Sequence, residues 1–78
     1  MPIIYTLESI KILVFFDDHY PRHFHVYYNE YEELIEIDTL KTYRGKMPTK
    51  QRHKVLKWAK ENRGYIQKKW EEFNPDKK

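Results

Sequence analysis

Apolar positions along the chain change their period once, near the middle. Ile10, Ile12, Val14 and Phe16 fall on one side of an extended segment, with Leu13 and Phe15 on the other. This is the pattern of a strand buried on part of both faces. Residues 2–6 form a short strand ahead of it, with residues 7–9 as the turn, and residues 17–22, which include Pro21, form a polar loop after it. Residues 23–28 and 31–37 then read as two strands around Asn29-Glu30. A two-residue connection fixes their register. It sets Tyr28 opposite Tyr31, Val26 opposite Glu33 and Phe24 opposite Ile35 on one face. On the other, Tyr27 meets Glu32, His25 meets Leu34 and His23 meets Glu36. Glu33 is the one polar residue on the apolar face, which places it at a sheet edge. A short fifth strand covers residues 40–43, before Gly45.

The second half has helical spacing. At 100° per residue, Arg52, Val55, Leu56, Ala59, Arg63, Ile66, Trp70 and Phe73 share an arc of about 100°, which Trp58 and Tyr65 widen. Pro48 suits the first helical turn, and Asn74-Pro75 ends the pattern. The helical stretch, residues 48–73, spans roughly 39 Å if continuous. Four or five strands give a sheet only about 20–24 Å across. Either the helix folds back near residues 62–64, or the end bearing Ile66, Trp70 and Phe73 projects past the sheet. A projecting aromatic stripe requires a second chain. On that basis a homodimer or a small protein partner is expected, with those three residues at the interface. The predicted fold is α+β: an antiparallel sheet of four to five strands with one long, or two short, C-terminal helices packed on one face. Phe16, Phe24, Val26, Ile35, Ile37, Val55, Ala59 and Ile66 are its expected core.

Composition limits the size and the chemistry. The 78 residues are 40% hydrophobic and 17% aromatic, enough for one small core and hence one domain over residues 1–78. That domain divides into a strand-rich acidic half (1–45), a helical basic half (46–74) and a tail (75–78) expected to be disordered. Without cysteine there is no thiol catalysis and no Cys-based metal site. No apolar run approaches the roughly 20 residues of a membrane span, and the start lacks a signal-peptide pattern, so a cytoplasmic setting without membrane contact is expected. Two glycines allow neither a P-loop nor a dinucleotide fingerprint, and the single serine, Ser9, has no neighbouring base. Net charge is +3, yet residues 1–38 carry two basic and eight acidic residues, whereas 39–78 carry thirteen and four. Such asymmetry points to a polyanion or an acidic partner, or to attraction between the halves.

Two constellations could carry function. In the polar run over residues 17–25, His23 and His25 stand two apart on a strand and point the same way. With Asp18, His19 and Glu36 they compose a histidine–carboxylate set suited to zinc or another divalent transition metal, which could activate water for hydrolysis. The same alternation also describes a half-exposed, hydrogen-bonded surface, or a pH-responsive one in which Glu36 favours protonated His23. Lys50, Lys54, Lys57 and Lys60 form a ridge on the helix that could follow nucleic-acid phosphates without reading bases, or simply solvate that face.

The run from Phe16 to Val26, with its Asp-His-x-Pro-x-His-Phe-His core, resembles the hallmark of the bacterial domain-of-unknown-function family 4160. Glu30-Tyr31, Ile35-Glu36-Ile37, Gly45-Lys46-Met47-Pro48, Trp58 and Trp70 extend the likeness over nearly the whole chain. Arg22 departs from it, where the family usually repeats proline, as does Glu33, where a small residue is commoner. The resemblance implies a small bacterial protein, often encoded beside another short domain in an arrangement suggestive of toxin–antitoxin pairs. It implies partnership rather than chemistry and assigns no catalytic residue. The leading expectation is therefore a non-enzymatic binding module of a toxin–antitoxin-like pair, contacting protein and nucleic acid. The alternative is a metal-dependent hydrolase or nuclease centred on Asp18, His19, His23 and His25. A third reading is a homodimer whose histidine surface recognises a small ligand.

Overall fold

The central hairpin forms in the register that side-chain alternation dictates. In the computed structural model, which describes residues 3–16 and 21–75, β3 (His23–Tyr28) pairs antiparallel with β4 (Tyr31–Glu36). All six expected pairs are present, from His23 opposite Glu36 to Tyr28 opposite Tyr31. Asn29 takes the left-handed turn conformation, φ 53°, which asparagine tolerates better than most residues. On one side of the hairpin lie β2 (Ile10–Leu13) and then β1 (Ile3–Leu7). On the other lies β5 (Thr42–Lys46), giving a five-stranded antiparallel sheet in the order β1-β2-β3-β4-β5. Helices α1 (Thr49–Glu61) and α2 (Arg63–Phe73) follow, so the class is α+β as expected.

The core lies between one sheet face and the two helices. Ile10, Ile12, Val14, Phe24, Val26, Ile35 and Ile37 pack with Met47, Val55, Trp58, Ala59, Ile66 and Trp70. Leu13 and Leu34 are also buried but stand outside this cluster, on the other side of the pleat. Phe16 is a correction: it is 64% exposed, with its ring 4.5 Å from that of Phe73. Strand β2 stops at Leu13, opposite His25, so alternation no longer sets the face that Phe16 occupies.

Glu33 is a second correction. It is on β4, inside the sheet rather than at its edge, and is only 1% exposed. Burying a carboxylate requires a partner, and α1 supplies one: Arg52 Nε lies 3.0 Å from Glu33 Oε2. The Thr42 hydroxyl of β5 donates to the same oxygen and accepts from the Arg52 guanidinium. The fifth strand also starts later than alternation suggested, at Thr42. Residues 37–39 make a turn instead, closed by Leu40 N donating to Glu36 O at 2.9 Å, with Leu40 at φ 60°.

The long helix does not run through. It breaks at Asn62, whose backbone (φ −127°, ψ 25°) leaves helical geometry. The Asn62 side-chain amide donates to Trp58 O at 2.8 Å, satisfying a carbonyl at the end of α1. Thirteen and eleven residues make helices of about 20 and 17 Å, each within the width of the sheet. The longest dimension of the chain is 34 Å. Ile66 and Trp70 accordingly lie fully buried in the chain's own core, and Phe73 is half-buried. The projecting stripe that would have required a second chain is absent, because the hinge resolves the mismatch of lengths within one subunit. At the end of α2, Asn74 donates from its side chain to Phe15 O and Trp70 O, both at 3.1 Å, tying the helix terminus to the segment that follows β2. Of the tail over 75–78, residues 76–78 lie outside the described residues.

Candidate functional site

With both helices on one face, the opposite face of the sheet carries no second layer among the described residues. Its side chains follow from register. One row across the strands runs Lys11, Tyr27, Glu32, Lys46, and the next runs Leu13, His25, Leu34, Arg44. His23 and Glu36 begin a third. A register shift in β5 between the partners of Leu34 and Ile35 leaves Tyr43 as an extra residue, and its ring lies 5.6 Å from that of His23.

The two histidines meet as the i, i+2 spacing required, with ring centroids 5.1 Å apart. His23 is fully buried, packed also against Trp70 at 5.6 Å. Its Nδ1 lies 2.6 Å from Pro21 O. A carbonyl can only accept, so Nδ1 is the protonated nitrogen. His25 is partly exposed, edge-on to Phe15 at 4.3 Å, and directs Nδ1 at Glu32 Oε2, 3.4 Å away. The carboxylate beside the histidines is thus Glu32. Glu36, directly opposite His23, accepts from the Thr39 hydroxyl at 3.1 Å. Asp18 and His19 lie outside the described residues. Among the described residues no three His, Asp or Glu side chains converge as a metal-binding group. Burial, and then the charge and hydrogen bond of Glu32, push the Tyr27 hydroxyl above its usual range.

Tyr43 and Glu32 were not singled out by sequence reasoning. The β-bulge that brings Tyr43 to His23 has no signal in alternation. The diagonal approach of Glu32 to His25, by contrast, follows from the hairpin register once it is drawn.

Residues 9–71 match the family described as "Domain of unknown function (DUF4160)". The chain belongs to the DUF4160 family. The match spans most of the sheet and both helices, including His23, His25, Trp58 and Trp70. No curated protein and no solved structure matches the chain.

The lysine ridge of this DUF4160 member lies along α1. Lys50, Lys57 and Lys60 are exposed, whereas Lys54 is paired with Glu8 of the β1–β2 turn at 2.8 Å. That contact, followed by the more distant Lys50, holds the Glu8 carboxyl below its ordinary range. Leu7, Glu8, Lys54, Lys57, Trp58 and Glu61 line a hollow of about 260 Å³. Trp58 stacks on Tyr5 at 4.7 Å and meets Tyr65 edge-on at 6.4 Å. The DUF4160 helices are too short and polar to cross a membrane: none of the described helices is long and apolar enough.

Proposed function

We propose that this chain is a non-enzymatic binding module that works with a separately encoded small protein, in the manner of a toxin–antitoxin pair. The observation that carries the reading is the sheet face turned away from the helices, which carries no second layer of helix or strand among the described residues. Two-layer domains of this kind need only one face for their core. Here the spare face holds tyrosine, histidine and arginine around buried Leu13 and Leu34, the mixture of aromatic, arginine and apolar side chains that protein interfaces favour. The exposed Lys50, Lys57 and Lys60 give the module a second, polyanion-directed surface, whose binding to nucleic acid would fall steeply with salt. Co-expression with the product of the adjacent gene tests the reading. A stoichiometric complex that Tyr27→Ala weakens supports it, and two proteins that elute separately at micromolar concentration remove it.

A second reading, a metal-dependent hydrolase or nuclease, draws on the orientation of the histidines. Both direct Nδ1 at an oxygen, the outer contact that fixes a metal-binding imidazole. Zinc titration of untagged protein tests it. A heat of binding lost in His25→Ala favours the reading, while neither heat nor a shift in melting temperature sinks it.

A further inference from the structure

Strand β5 ends the sheet. One of its sides is bonded to β4, the other faces no strand among the described residues, and all five residues from Thr42 to Lys46 are exposed. Unpaired edges invite another strand, and natural proteins usually block them. This edge is guarded by its cations and by the bulge at Tyr43, which disfavour a like-charged strand, and it is also held in place. On the helix side Thr42 is gripped by Glu33 and Arg52. Gly45, at φ 85°, brings the strand so near to β4 that an added Cβ would stand 2.2 Å from Glu32 O. A strand already held against its neighbour loses little further entropy when another pairs with it.

Charge decides what that strand is. No acidic residue occurs between Asp38 and Glu61, and Lys41, Arg44 and Lys46 mark the edge and its approach. Arg44 and Lys46 both stand on the face turned away from the helices, opposite Leu34 and Glu32. A second copy pairing through β5 would set these cations against their own equivalents, and like charges directly opposed are unfavourable. The far edge differs. There the Tyr65 hydroxyl donates to Ile4 O at 2.8 Å.

We infer that the β5 edge takes an extended acidic segment of a partner protein as an added strand, its carboxylates two residues apart so that both meet Arg44 and Lys46. This deepens the binding-module reading and rests on it for the partner. The added strand gains main-chain hydrogen bonds from the edge and specificity from the paired charges.

A short blocked peptide alternating valine and glutamate is the probe, followed by amide shifts and hydrogen exchange of the intact chain. The expected result is shifted and protected amides over residues 42–46. Affinity should drop roughly tenfold or more in an Arg44→Glu/Lys46→Glu variant that keeps its far-ultraviolet spectrum, and equally for a valine–lysine peptide. Any of three results overturns the inference: no response of β5 at millimolar peptide, binding indifferent to the charge reversal, or a response to a DNA oligonucleotide but not to the peptide. A stoichiometric complex with the adjacent gene product that leaves β5 unprotected also defeats it while preserving the broader reading. Peptide binding without such a complex does the reverse.

Discussion

Glu33 shows how one side chain can contradict its strand and still belong there. The carboxylate is buried against Arg52, which is itself partly exposed, and Glu33 Oε1 has no hydrogen-bond partner. Removing the cation alone leaves a buried charge, so Arg52→Ala should cost about 3 kcal/mol in urea unfolding. Replacing both together, as Glu33→Met with Arg52→Leu, should recover most of that loss, since an apolar pair needs no counter-charge. A double change as damaging as the single one would refute this account. Tyr27 gives the pH counterpart. Its folded hydroxyl ionises above its usual value near 10. Stability is therefore unaffected while the phenol is neutral in both states, and declines as pH rises past the unfolded value towards the folded one. Urea midpoints at about pH 9 and about pH 11 should diverge less in Tyr27→Phe than in the parent. The sequence made Glu33 visible as an anomaly but could not name Arg52, because nothing local links a strand residue to a helix that follows a further strand.

The two glycines separate what an element demands from what it tolerates. Gly45→Ala meets a positive φ and a carbonyl oxygen at 2.2 Å, so it should destabilise by about 2 kcal/mol or more. Gly64, in the first turn of α2, has nothing within 4 Å of an added Cβ. Gly64→Ala should therefore stabilise by about 0.5 kcal/mol, through the lower entropy of the unfolded chain. Thermal melts of the two variants should move in opposite directions. The strands of the hairpin were legible because a period of two, together with a two-residue turn, leaves one register. The helix break was legible only as a pair of options. Apolar phase survives Asn62, and what selects the hinge is the need to keep Ile66 and Trp70 over a sheet narrower than a straight rod. The displacement of β5 was hidden because its residues are all exposed and carry no alternation.

Taken as one body, the chain encloses its own aromatic seam. Trp70 sits at the centre of that enclosure, in contact with His23. Trp70→Ala should thus cost about 3–5 kcal/mol in folding and leave the sedimentation behaviour of the remaining folded fraction unchanged. Dissociation of an oligomer without loss of stability would contradict this. Of the candidate site, the pairing of His23 with His25 and the exposure of Lys50, Lys57 and Lys60 could be read from spacing. The pairing of Lys54 with Glu8 could not, since it joins the first turn to the first helix. The unlike edges of the sheet carry a final consequence. Were the β5 margin extended as inferred, the other margin, where the chain's own Tyr65 engages Ile4 O, would not relay the addition onward. Assembly would then stop after a single step, and the β surface that recruits a partner would be protected from growing into a fibre.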